Sequence, residues 1–147
     1  MKFQRILVAT DFSPASAPAV EQAVKMAGRD GAQLLIAHAY QEPGLVELSH
    51  APARVYEEWD QALREAVERK LRPLVENARK EGVEARALLL AGFADEAIVA
   101  AAKEEGADLI VMGTHGRRGA ARMFLGSVAA RVISTAPCPV MTVRSPG

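Results

Sequence analysis

The chain has 147 residues, enough for about one domain that buries roughly two-thirds of the surface its unfolded form exposes. Half of the residues are hydrophobic but only 5% are aromatic, so the core must be built from Ala, Val, Leu and Ile, as in helices layered on a sheet. The 18 basic residues balance 18 acidic ones, which removes the broad attraction on which nucleic-acid and anionic-membrane binding rest and leaves any anionic partner to be held locally.

Met1 to Arg5 passes directly into the apolar run Ile6 to Ala9, too short for a signal-peptide core or a membrane span, and this run with Thr10 reads as a first strand. The run is continuous rather than alternating, the pattern of a parallel strand covered on both faces. Ser13 and Pro14 are expected to cap and open a first helix, with Ala19, Val20, Ala23, Val24 and Ala27 on one face and Gly28 at its end. A second strand follows over Leu34 to Ala37, and then a stretch without period from about Tyr40 to Pro52, read as a long loop.

From about Val55 to Glu81 the positions Trp59, Leu63, Val67, Leu71, Leu74, Val75 and Ala78 form one helical face. Pro73 lies within it, and a proline there removes the bond to the carbonyl of Arg69, so a kink near 69–73 or a late restart is expected. Glu84 to Leu90 begins with polar and apolar residues alternating and suits a strand at a sheet edge, ended by Gly92. A helix from Ala94 to Glu105, a fully apolar strand from Leu109 to Met112, a glycine-rich loop, a helix from about Ser127 to Ser134 and a last strand from Val140 to Val143 complete the chain. Strands and helices alternate with no break in composition. The expected fold is therefore α/β: a single doubly wound domain over 1–147, a five-stranded parallel sheet with helices on both faces and right-handed crossovers.

Open parallel sheets bind ligands beyond the carboxyl ends of their strands. After the Leu109–Met112 strand come Gly113, Gly116, Gly119 and Gly126, with Arg117, Arg118 and Arg122 between them and a helix start at Ser127. Glycine allows close backbone approach, and free N–H groups at a helix start favour phosphate, so the loop points to polyphosphate binding. Glycines in such number also serve simply to shape a loop. The three arginines are candidates for phosphate neutralisation on charge alone. Ser127 also reads as a helix cap and Asp11 as a turn residue. His38, His50 and His115 have no metal-ligand spacing with one another or with Cys138. Cys138, the single cysteine, excludes an intrachain disulfide, reads as an inert thiol, and makes a cytoplasmic location the expectation.

The spacing Gly113-x-x-Gly116, nine residues, Gly126-Ser127 resembles the nucleotide loop of the ATP-binding universal stress proteins. The resemblance runs the length of the chain and includes Ala9-Thr10-Asp11-Phe12-Ser13, the Asp108-to-Gly113 entry to the loop and the closing Pro137-Cys138-Pro139-Val140. It implies a stress-response sensor or regulator that binds ATP, with any magnesium arriving on the nucleotide. Met112, Gly113, His115 and Gly116 would lie along ribose and phosphates, with Arg117 beside them, and Gly126, Ser127 and Val128 would donate to phosphates. Asp11, following Ala9 and Thr10, would face ribose or adenine. Ala39 would stand where the family places a residue against adenine. The resemblance also implies a homodimer through the edge strand Val140, Met141, Thr142 and Val143.

Two rival readings, an enzyme that cleaves or transfers phosphate and a receiver domain, fit poorly. No Gly-x-x-x-x-Gly-Lys-Ser/Thr loop is present, nor the Ser-Gly-Gly type of loop expected after the first strand of related ATP pyrophosphatases, so at most slow ATP hydrolysis is expected. A phospho-acceptor receiver domain would need paired acids, an aspartate and a lysine where this chain offers Asp11, Ala91-Gly92 and Arg144-Ser145. A nucleotide-independent dimeric interaction module is left for a binding measurement to decide.

Overall fold

The computed structural model of the chain describes residues 2–41, 50–115 and 125–146. Within them β1 (Arg5–Ala9), α1 (Ala17–Asp30), β2 (Gln33–Tyr40), α2 (Ala53–Lys80), β3 (Glu84–Ala91), α3 (Ala94–Glu105), β4 (Leu109–Gly113), α4 (Ser127–Thr135) and β5 (Val140–Val143) alternate as expected. The strands form one sheet in the order β3-β2-β1-β4-β5. All four pairings are parallel, so the doubly wound architecture read from the sequence is the one observed.

Side chains alternate across each strand, and this sorts a continuous apolar run into two cores. Ile6, Val8, Leu34, Ile36, Leu109 and Val111 meet α1 and α2 on one face, among Val20, Ala23, Leu71 and Val75. Leu7, Leu35, Ala37, Ile110 and Met112 meet α3 and α4 on the other, among Ile98, Ala102, Ala129 and Val132. Alanine supplies about half of the buried hydrophobic helix positions, which lets the helices lie close to the sheet and explains how so few aromatic residues suffice. β3 and β5 are the two edge strands, β3 at the position its mixed pattern suggested.

Three boundaries differ from the sequence reading. Helix α1 opens at Ala17 rather than beside Ser13, because the polar side chains of 10–16 bond to one another and hold a separate turn. It continues through Gly28 to Asp30, where Gly31 at φ 67° forms a left-handed cap and Ala32 N–H reaches the Ala27 carbonyl at 2.9 Å. Helix α2 runs without a restart from Ala53 to Lys80 with Pro73 inside it. Its apolar face, buried at Val67, Leu71, Val75 and Ala78, holds the helix together across the missing backbone bond. Of the long loop expected over 40–52, residues 42–49 lie outside the described residues.

Candidate functional site

The chain runs from β1 outward through β2 to β3 and then returns to the other side of β1 with β4 and β5. The crossovers therefore part in opposite directions between β1 and β4, and a crevice opens beyond their carboxyl ends. A cavity of about 430 Å³ occupies that crevice. Ala9, Thr10, Asp11, Ala39, Met112, Gly113, His115, Gly126, Ser127 and Val128 all line it. Gly116 and Arg117, expected with them, lie outside the described residues, as do Arg118 and Arg122.

One wall is the turn after β1, which is built by side chains. Thr10 Oγ1 accepts from Phe12 N–H at 3.0 Å and lies 3.0 Å from Ser16 Oγ, while Ser16 Oγ also donates to the Ser13 carbonyl at 3.0 Å. Asp11 Oδ1 accepts from Ser13 N–H at 2.9 Å and from the Ser13 hydroxyl. Asp11 is thus a turn residue and a cavity residue at once. The bonds force Phe12 to φ 65°, a left-handed conformation that costs a bulky residue roughly 1–2 kcal/mol. Its ring lies 4.5 Å from that of His38 and beneath the Lys70 ammonium, 5.5 Å from the ring centroid. His38 Nδ1 is 2.8 Å from the Thr10 carbonyl, which can only accept, so that nitrogen carries the proton.

The facing wall is built by backbone. A Cβ on Gly113 would lie 3.3 Å from the Ala15 carbonyl oxygen and 3.6 Å from Ser16 Cα, so the end of β4 approaches the first turn more closely than most side chains tolerate. Gly126 N–H donates to the Thr114 carbonyl at 2.7 Å and closes the neck of the glycine loop. A Cβ on Gly126 would come within 2.9 Å of that same oxygen. The space that glycine keeps open at 126 therefore belongs to the chain itself, so loop shaping, one of the two readings of these glycines, applies here.

Helix α4 begins immediately after this neck. Its first intrahelical bond runs from Ala130 N–H to the Gly126 carbonyl, so the N–H groups of Ser127, Val128 and Ala129 precede the helical ladder. The residue in the capping position is Gly126, no side chain caps the helix, and no acidic residue lies in its first turn. Ser127 is therefore the first helical residue rather than a cap. His115 Nδ1 is 3.1 Å from Thr114 Oγ1, whereas its buried Nε2 has no partner among the described residues. Together these groups offer hydrogen bonds and a positive helix end to a negatively charged guest.

The cavity also takes residues that the sequence reading passed over: Ser16, Thr114, Ala94 and Ile98 of α3, Ala129 of α4, and His38, weighed there only as a metal ligand. Ala94 and Ile98 stand four apart at the start of the helix after β3, a spacing that puts both on one face; only the strand order brings that face to the crevice. They make this end of the cavity apolar, suited to a flat ring, while Thr114, His115 and Ser127 put polar groups near the start of α4 and Thr10, Asp11, Ser16 and His38 put others on the turn after β1 and on β2. Among the described residues no cluster of His, Cys, Asp or Glu could hold a metal ion, and no helix is long and apolar enough to cross a membrane. Cys138 is half-buried, and burial, with a smaller contribution from Asp108, raises its thiol pKa, which disfavours the reactive thiolate.

The model of the universal stress protein family matches residues 2–144. The chain is 41% identical over 144 residues to the universal stress protein in the QAH/OAS sulfhydrylase 3'region of Thermus aquaticus, covering 97% of this chain and 99% of that one. Among solved structures, MJ0577 of Methanocaldococcus jannaschii superposes with a TM-score of 0.87 at 25% identity, covering 100% of this chain and 99% of that one. A universal stress protein solved in complex with cAMP gives 0.70 at 28% identity, covering 99% and 100%. The Archaeoglobus fulgidus universal stress protein in complex with dAMP gives 0.66 at 26% identity, covering 98% and 100%. With a family model spanning nearly the whole length and a relative of this identity over the same span, the chain belongs to the universal stress protein family.

Proposed function

We propose that this protein binds ATP in the β1–β4 crevice and acts as a homodimeric stress-response sensor or regulator. The observation that carries the reading is the β1–β4 cavity of about 430 Å³, which joins an apolar end to an uncapped helix start and has a volume within the range of small-molecule sites. Adenine is assigned to the end lined by Ala39, Ala94, Ile98 and Ala129, ribose to Asp11, and the phosphates to the N–H groups of Ser127 and Val128 with Gly113, His115 and Gly126. Gly116 and Arg117 belong to the same proposal through the sequence resemblance alone. Relatives solved with cAMP and dAMP support an adenine nucleotide as the class of ligand.

His115 Nε2, without a partner among the described residues, and the open first turn of α4 fit a polyanion better than a neutral guest. Magnesium is assigned to the nucleotide and not to protein ligands. Asp11 Oδ1 is committed to Ser13, which favours a binding role for this carboxylate over that of a general base. Turnover of about one ATP per minute or less is expected, far below the roughly 1–100 per second of kinases. For the dimer, β5 is an edge strand of half-buried Val140, Met141, Thr142 and Val143, the kind of edge that a twofold mate can cover.

Calorimetric titration with Mg-ATP tests the reading, with AMP and cAMP as comparators. At about a hundred times the dissociation constant, ATP should stabilise the fold by about 2.7 kcal/mol in a melting experiment. Absence of both heat and a melting shift at saturating Mg-ATP would refute nucleotide binding. Sedimentation that gives a monomer at micromolar protein with ATP present would refute the dimer.

A further inference from the structure

A second cavity, of about 660 Å³, lies on the opposite face of the sheet, between α1 and α2. Both helices run antiparallel to the strands, so the groove has a definite polarity. Its upper end, at the carboxyl edge of the sheet, is formed by Thr10, Phe12, Ser13, Ala17 and Lys70. Its walls are Val20 and Val24 of α1 facing Leu74 and Ala78 of α2, and its lower end carries Arg29 and Glu81.

The charges are not spread evenly along it. Lys70 sits at the upper end over the Phe12 ring and forms no ion pair among the described residues. No acidic residue occupies the first turn of α1, which leaves the positive end of that helix beside Lys70. Of the other charged lining residues, Glu21 and Lys25 stand four apart on α1 with opposite signs, and Arg29 pairs with Asp30 and lies at the same end as Glu81. The groove thus has a cationic upper end, apolar walls and a charge-balanced lower end.

We infer that the α1–α2 groove is a second ligand site, and that it takes a small amphipathic anion. The anionic head sits at Lys70 and the apolar body lies along Val20, Val24 and Leu74. An aliphatic carboxylate and an aryl sulfonate share that chemistry. Thr10 lines both cavities, and Phe12 stands between His38 on the side of the first cavity and Lys70 on the side of the second. A guest beneath Lys70 therefore presses on the same strained turn that carries Asp11. This last link rests on the proposed nucleotide site; the second site itself does not.

The test follows the fluorescence of 1-anilinonaphthalene-8-sulfonate on the intact protein, with dodecanoate as competitor. One saturable site per chain, displaced by dodecanoate, is expected. Lys70→Glu should weaken it about tenfold or more, Lys70→Arg should retain it, and both variants should melt as the parent does. Ser127→Glu, which places a carboxylate at the mouth of the first cavity, should leave dye affinity unchanged. Saturating Mg-ATP should shift dye affinity measurably without abolishing it. No saturable binding, binding indifferent to Lys70→Glu, or binding lost in Ser127→Glu would each overturn the second site. A dye affinity blind to ATP, in protein whose ATP binding calorimetry has detected, would overturn the link between the sites. A protein that binds the dye as expected but gives no heat with ATP would retain the groove site and lose the nucleotide reading.

Discussion

The two ends of the sheet are built on different principles. At the amino end, carboxylates take up the backbone N–H groups that enter β1: Asp108 accepts from Gln4 and Arg5 at 2.8 and 3.0 Å, and buried Asp30 accepts from Phe3 at 2.9 Å. Arg5 Nη1 in turn donates to the Glu105 carbonyl, so the end of α3 is held there too. At the carboxyl end the chain leaves a cavity open, lets Gly113 and Gly126 touch neighbouring backbone, and holds Phe12 in a strained conformation. Polar satisfaction at one end and strain with close approach at the other are what a scaffold with a binding edge requires. Substitutions at the amino end should change stability alone, and those at the carboxyl end should change binding as well.

The largest effect is expected for Gly126→Val, whose side chain would overlap the Thr114 carbonyl. Opening the loop neck should cost about 1–3 kcal/mol in stability and remove the ATP heat in calorimetry. Loss of binding with an unchanged melting curve would instead mean that the side chain blocks a phosphate rather than the neck. At the other end, Asp108→Ala leaves two N–H groups without their acceptor and should cost about 1–2 kcal/mol with ATP affinity unchanged. A fall in affinity that exceeds the fall in stability would break the division between the two ends.

A smaller, pH-dependent effect is expected for Asp30→Asn. The hydrogen bond from the Arg29 guanidinium, followed by that from Phe3 N–H, lowers the Asp30 pKa to about 2. A depressed folded-state pKa contributes stability that is present above the unfolded value of about 4 and is lost as pH falls toward 2. The variant should therefore melt below the parent at pH 7, and the gap should close as pH falls from about 4 to 2. A gap that persists at pH 2 would show that the side chain acts by packing instead of charge.

The smallest effect separates two substitutions of one residue. Phe12→Ala and Phe12→Gly both lose the contacts with His38 and Lys70, but only glycine also relieves φ 65°. The glycine variant should be the more stable by about 0.5–1 kcal/mol in denaturant unfolding, the reverse of the usual order. An alanine variant equal or superior to glycine would show that the turn is not strained.

Much of this protein is legible in one dimension. Local sequence carries the period of each element, so the unbroken runs at Ile6, Leu34 and Leu109 mark strands covered on both faces, and the alanine-rich faces of the helices follow from spacing alone. The glycine and arginine loop after β4 is also visible, because the residue types that admit phosphate are chemically distinctive. What the sequence leaves undecided is where separate segments meet. The order β3-β2-β1-β4-β5 brings Ala94, Ile98 and Ala129 into the crevice, and no local pattern marks them as different from other buried apolar residues. The direction of the missing Cβ at Gly126, toward the Thr114 carbonyl, depends on a contact across the neck of a loop. The left-handed Phe12 runs against its own conformational preference, held there by Thr10, Asp11, Ser13 and Ser16. Backbone preferences act within a few residues, whereas the cavity is enclosed by segments as far apart as Ala9 and Ala129, and only the packed fold decides which side chains close it.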